Sequence, residues 1–247
     1  MEVTKWWSKF FLVTSIVAVV LLLASPLGYK YGVAELMPSF ASLLLSLALA
    51  VLVFVGGLMM TFVANSKGLI RDRNMLLIAV AVSVMPLIAM GPPIAKGRSV
   101  PPIHDISTDV MNPPTFDVAV GLRVEALNDL EYGSEQGSAT ALAKLQQDAY
   151  PQIVTLESEL SAPEAVALAA LVLAQQGLDV VNVDVDQGRV EAVATSFWFG
   201  FKDDLVVRVQ PTHTGSKIDV RSVSRVGQSD LGANGARIAK FLQAFGQ

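Results

Sequence analysis

The sequence contains no cysteine and only two histidines, His104 and His213. Without thiols there is no disulfide, no thiol nucleophile and no Cys-ligated zinc. One histidine lies in a Pro-rich stretch and the other in a polar turn, so no metal centre is expected. Charge is also scarce: 16% of residues are Asp, Glu, Lys or Arg, against about 25% in ordinary soluble domains. The scarcity is local. Phe10–Leu27, Phe40–Ala64 and Met75–Ala95 contain no charged residue and no histidine. Each has about the 20 apolar residues needed to cross a hydrocarbon core roughly 30 Å thick. Intramembrane ion and proton paths need ionisable groups, so the three spans read as an anchor in a lipid bilayer and not as a transporter.

The charges that are present divide sharply. The first 98 residues hold eight Lys/Arg against three Asp/Glu, a net of +5; from Ser99 onward there are ten against nineteen, a net of −9. An acidic domain repels phosphate backbones, which excludes nucleic acid as a partner. Near the spans, Lys5 and Lys9 flank the first, and Lys67, Arg71 and Arg73 fill the second connection. The first connection has only Lys30, set against Glu35. Basic flanks stay in the cytoplasm, so the expected topology is N-terminus inside and C-terminal domain periplasmic or otherwise extracytoplasmic, on a plasma (inner) membrane. Lys96 and Arg98 oppose this weakly. A cleaved signal peptide is the alternative reading of the first span, but Leu22-Leu23-Ala24 is a poor cleavage site and Pro26 follows closely. Ser42, Ser46 and Ala50, four apart in the second span and followed by Gly56-Gly57, suit close helix approach. Packing within the bundle is the plain reading, and a self-association seam the sharper one.

Three regions are expected: an anchor over residues 1–96, a Pro-rich strap over 97–117 and an α+β domain over 118–247. Gly91-Pro92-Pro93 is expected to end the third span, and Pro86 to bend it. Pro101-Pro102 and Pro113-Pro114 bracket an extended strap, and Glu131–Ala139 reads as a loop. Ser161-Ala-Pro-Glu164 is a capping box for a helix that runs to Gln176 and stops at Gly177. Alternating segments at Leu178–Val185, Gly188–Phe199, Asp203–Gln210 and Lys217–Arg225 predict a four-strand antiparallel meander, with Val181, Val183 and Val185 on one face of its first strand. A last helix over Asp230–Phe245 is expected to carry Leu231, Ile238, Leu242 and Phe245 on one stripe. The fold class is therefore α+β, an antiparallel sheet with helices on its apolar face, behind a three-helix transmembrane bundle.

Strand alternation gathers Glu191, Asp204, Arg208, Asp219, Arg221 and Arg225 on one sheet face. A salt-bridge ladder, solvated or covered by the strap, is the plain reading. A polar platform is the sharper one, with the three arginines reading an anionic ligand or partner. His104, Asp105 and Asp109 suit hydrogen bonds that pin the strap to the sheet. They also define a rival reading, a hydrolase built on His104, Asp105 and the Asp/Arg cluster. Ser229-Asp230 reads as a helix N-cap region, with Gly232 and Gly235 able to offer backbone N–H groups to an anion. Core burial is expected for some of Phe197, Trp198, Phe199 and Phe201. No cofactor motif is present.

Pro102-Ile-His-Asp-Ile-Ser-Thr-Asp109, Phe201-Lys-Asp-Asp-Leu-Val-Val-Arg208 and Asp219-Val-Arg-Ser-Val-Ser-Arg-Val-Gly-Gln-Ser-Asp-Leu-Gly-Ala-Asn234 occur in that order. Together they resemble the domain-of-unknown-function family 1499, over about Ser99–Phe245. The resemblance implies a bacterial or plastid-related envelope protein and carries no activity, cofactor or catalytic residue with it. A non-enzymatic module that binds an envelope protein or lipid is the leading expectation. A hydrolase and a carrier of lipid or another apolar ligand are the alternatives.

Overall fold

A computed structural model describes residues 3–246. It forms two compact units, one of residues up to Ala95 with Trp198–Gly200, the other of Lys96–Phe197 with the chain from Phe201.

The first unit is built on α1 (Trp6–Lys30), α2 (Leu36–Ser66) and α3 (Ile70–Ser99), each long and apolar enough to cross a membrane. Short connections make them run up, down and up. One contact fixes this arrangement: Asp72, buried in the first turn of α3, accepts from the backbone N–H of Lys5 at 2.8 Å and from the Ser8 hydroxyl at 2.5 Å. A single carboxylate thus sits at the positive ends of two parallel helices, where it offsets dipoles that repel one another. Ser46 and Ala50 are fully buried, and the Ser46 hydroxyl donates to the Ala18 carbonyl at 2.6 Å. Gly56 and Gly57 serve different neighbours. A β-carbon on Gly56 would come within 2.9 Å of the Phe11 ring, and one on Gly57 within 2.7 Å of Val80. The small-residue seam therefore packs helices within the bundle. Contrary to expectation, Gly91-Pro92-Pro93 does not end α3, which continues to Ser99. Apolar character stops there, but each proline removes only one intrahelical donor, and α3 keeps its helical path through them.

The second unit is an α+β domain with a six-stranded antiparallel sheet: β1 (Asp105–Ser107), β2 (Leu156–Ser158), β3 (Asp179–Asp184), β4 (Arg189–Thr195), β5 (Lys202–Pro211) and β6 (Ser216–Ser224). The predicted meander is β3 to β6. The strap adds β1 beside the end of β6, and β2 pairs with the start of the same strand, giving the order β1-β6-β5-β4-β3 with β2 off the path. Both additions are three residues long, below the length at which alternation shows in a sequence. The helices are α4 (Val118–Gly121), α5 (Ala139–Ala149), α6 (Ala162–Gln175) and α7 (Ala233–Phe245).

The core lies between one sheet face and α6 with α7. Val166, Ala169 and Leu173 meet Val190, Leu205, Val207, Ile218 and Val220, and Ile238, Phe241 and Phe245 close the other end. Glu164 accepts from both the backbone N–H and the hydroxyl of Ser161, which pulls its carboxyl below the ordinary range. Gly177, at φ 81°, ends α6 as expected.

Two predicted faces shift. In β3 a bulge lies between Val180 and Asn182, so Val180 takes the core side in place of Val181, while Val183 and Val185 are half exposed. A bulge inserts one residue and inverts the alternation beyond it. The last helix begins at Ala233 and not at Asp230, because Leu231 (φ 53°) and Gly232 (φ 76°) are left-handed, and Phe241 takes the place expected for Leu231 in the core. The expected aromatic core is also absent: Phe197 and Trp198 are exposed, Phe199 and Phe201 are half-buried, and none belongs to the core cluster.

Candidate functional site

The charged sheet face forms as alternation predicts. On β5 and β6, Arg208 stands opposite Asp219 and Val206 opposite Arg221, while Val206 also faces Glu191 on β4. The face is not open. Segment 108–135 runs across it, and the side chains of the sheet hold that cover largely by its backbone.

Arg221 is the centre. It grips Asp105 with two hydrogen bonds, Nε to Oδ1 at 3.0 Å and Nη2 to Oδ2 at 2.7 Å, and also donates to the carbonyls of Pro114 and Leu130. Its guanidinium lies between the rings of Phe116 and Tyr132, 5.6 and 5.5 Å from their centroids. A desolvated cation between two aromatic faces is stabilised by both quadrupoles. Burial, and then the Asp105 carboxylate, push the Tyr132 phenol far above its ordinary value, against the pull of Arg221.

Asp204, fully buried, accepts from Arg123 at 2.5 Å and from Arg225 at 2.7 Å, and Arg225 also donates to the Leu122 carbonyl. Arg208 bridges Asp219 at 2.7 Å and Asp109 at 2.9 Å and reaches the Asn112 carbonyl. Asp219 takes the hydroxyls of Thr108 and Thr155 as well. Glu191, fully buried, pairs with no cation among the described residues. It accepts the backbone N–H groups of Asp117, Val118 and Ala119, capping α4 from a neighbouring strand, together with the Asn182 amide. Asn128 ties the end of the cover to the carbonyls of Ser224 and Gly227. Buried charges persist only when paired and hydrogen-bonded, and here each carboxylate is met by guanidiniums, hydroxyls or cover N–H groups, while among the guanidinium nitrogens Arg208 Nε is buried with no partner among the described residues.

His104 does not join this network. Its carbonyl accepts from Ser224 and Asn234, while its ring Nδ1 is buried, lacks a hydrogen-bond partner among the described residues and lies 3.5 Å from Glu135. The structure therefore brings together Asp105, Asp109, Asp204, Arg208, Asp219, Arg221 and Arg225, and leaves His104 beside Glu135. Asp230 is elsewhere, at the start of α7, where its carboxylate accepts the N–H groups of Gly232 at 2.7 Å and Asn234 at 2.6 Å. The Gly232 N–H that could have met an outside anion is thus taken by Asp230. Burial raises its carboxyl, with those two N–H groups opposing. Ser229 accepts from the N–H of Leu231, and Gly235 packs against the Tyr150 ring. No group of His, Asp or Glu among the described residues is arranged to hold a metal ion.

Several members were not legible in the sequence. Arg123 and Asn128 lie in irregular chain, where no periodicity marks them. Gln146 of α5 binds both the N–H and the carbonyl of Ser107, replacing a neighbouring strand along the outer edge of β1. Asn234 bonds Ser222, Ser224 and the His104 carbonyl in the core.

The family model described as Protein of unknown function (DUF1499) matches residues 105–245. The chain belongs to this family. The DUF1499 segment takes in the whole sheet, the cover and α4 to α7, and it excludes the three apolar helices. No curated protein and no solved structure matches the chain.

Proposed function

We propose that this DUF1499 chain is a membrane-anchored, non-enzymatic binding or interaction module of a bacterial envelope. Its N-terminus lies in the cytoplasm, and its α+β domain lies outside a plasma (inner) membrane. The observation that carries the sidedness is the joining of the α1 and α3 starts through Asp72. If all three membrane-length helices cross a bilayer, this arrangement would leave residue 5 and residue 96 on opposite sides of it. The cations Lys5, Lys9, Lys67, Arg71 and Arg73 then choose the cytoplasm for the first side.

The engagement of every carboxylate on the charged face supports a non-enzymatic role. A general acid or base must reach a substrate, and Asp105, Asp204 and Asp219 are buried under the cover and spoken for by arginines. The envelope hydrolase reading loses its His104 as well, which lies against Glu135. On this account the Asp/Arg face serves binding indirectly, by fixing the backbone of segment 108–135 so that its outer side is presented in one shape.

Fusions made after residue 100 test the sidedness. An alkaline phosphatase fusion should be active and a green fluorescent protein fusion dark in a bacterial host. The reverse pattern removes the envelope reading.

A further inference from the structure

A cavity of about 340 Å³ opens on the helix side of the domain, away from the charged face. Gln176, Gly177 and Leu178 at the end of α6, Ala194 and Thr195 at the end of β4, and Ala233 and Ala236 on α7 form its walls, polar and apolar in similar share, and the Gln176 amide nitrogen is buried there with no partner among the described residues. Two cations complete them, Arg237 and Lys240, one turn apart on the same side of α7. Lys240 is exposed and has no ion-pair partner among the described residues. Arg237 is held rigidly: Nη2 meets Asp203 at 2.7 Å, and Nη1 meets Ser222 and Asn234. Its Nε is left without a protein partner among the described residues.

We propose that this cavity is a binding site for a small amphiphilic anion, a phosphate- or carboxylate-bearing head on a short apolar body. Lys240 supplies the charge, the fixed Arg237 an oriented donor and Thr195 a hydroxyl, while Leu178 and the alanines face the apolar part. The volume falls in the range of about 300–1,000 Å³ typical of small-molecule sites. The domain carries a net charge of −9 from Ser99 onward, so the general field repels anions and two adjacent cations beside a cavity lined by alanine and glycine mark the exception. Asp203 offsets Arg237, which leaves Lys240 as the main electrostatic contributor. The site is independent of which side of the membrane the domain faces.

The test uses the full chain in neutral-detergent micelles, titrated with butyl phosphate and followed by saturation-transfer NMR. Wild type should bind with a Kd of about 1 mM or tighter. Lys240→Ala should weaken binding about tenfold. Ala236→Leu, on an exposed helical position that tolerates leucine, should abolish it by filling the cavity, with the melting curve unchanged. Lys144→Ala, at a cation paired with Asp148 on α5, should leave it intact. Repeating the titration in nanodiscs of phosphatidylcholine with and without phosphatidylglycerol separates the sources. A weaker butyl phosphate affinity in the phosphatidylglycerol discs identifies a lipid head as the occupant, and an equal affinity identifies a soluble amphiphile. No binding by wild type, or binding untouched by both Lys240→Ala and Ala236→Leu, overturns the proposal.

Discussion

Arg221 and Asp105 are diagonal neighbours across β6 and β1, Arg221 standing opposite Ser107 and Asp105 opposite Val223, yet their side chains close a two-pronged bridge. A guanidinium can make that fork and still reach the Pro114 and Leu130 carbonyls; an ammonium cannot. Arg221→Lys keeps the charge but leaves buried acceptors unmet, and should destabilise the domain by about 2 kcal/mol. Removing both partners, as Asp105→Ala with Arg221→Met, should cost less than Arg221→Met alone, because no charge is then left buried and unpaired. Denaturant unfolding of the purified chain measures both. A lysine variant within about 0.5 kcal/mol of wild type, the range of ordinary surface changes, would show that the bridge does not hold the cover.

Glu191 caps α4 at a distance, across 72 to 74 positions of sequence. Glu191→Ala leaves three N–H groups without their acceptor and should cost about 2 kcal/mol or more. Glu191→Gln keeps one acceptor oxygen and should cost about half as much. Amide exchange at Asp117, Val118 and Ala119 should speed up in the alanine variant. Unchanged protection there would show that α4 is held by packing alone.

Much of the fold was legible in the sequence, for identifiable reasons. The capping box at Ser161 and Glu164, the stop at Gly177 and the period-two pattern of Asp203–Gln210 are local signals, and they reappear in α6 and β5. The charged residues of β4, β5 and β6 share a face because alternation is a property of each strand alone. What covers that face is set by contacts 70 to more than 100 positions apart, such as Arg123 with Asp204 and Arg225 with Leu122, and no window of sequence contains them. The bulge beside Val181 was hidden for a related reason: Val180 and Val181 are equally apolar, so register against β4 alone decides which one turns inward.

Asp230 gives the domain a pH signature. Burial raises its carboxyl above the ordinary value of 3.8 in the folded state. A raised acid binds its proton more tightly when folded, so its contribution is complete below 3.8 and is lost as pH rises through the folded value. Asp230→Asn should flatten the stability profile above 3.8 and keep the cap, since an amide oxygen still accepts from Gly232. Glu164 has the opposite sign: lowered by Ser161, its contribution is present above 4.5 and lost as pH falls. Thermal melts at closely spaced pH values should show a smaller loss between acidic and neutral pH for Asp230→Asn. A profile parallel to wild type would remove Asp230 as its source.

The anchor has its own test. Gly57→Val puts a branched side chain where even a β-carbon would lie 2.7 Å from Val80, and overpacking of this kind costs about 1–3 kcal/mol. Asp72→Ala releases the Lys5 N–H and the Ser8 hydroxyl and removes the charge that offsets two helix ends. Both variants should lower the detergent-solubilised melting temperature. If Gly57→Val alone is silent, α2 and α3 are not in close contact at that level.

The sidedness of the domain is the central claim, and the lack of native cysteine makes it directly measurable. Single cysteines at Thr214, exposed in the β5–β6 turn, and at Ser66, exposed at the end of α2, can be treated in intact bacterial cells with a membrane-impermeant maleimide. Thr214→Cys should label in intact cells, and Ser66→Cys only after the membrane is permeabilised. Labelling of Ser66→Cys in intact cells, with Thr214→Cys protected until permeabilisation, would contradict the account.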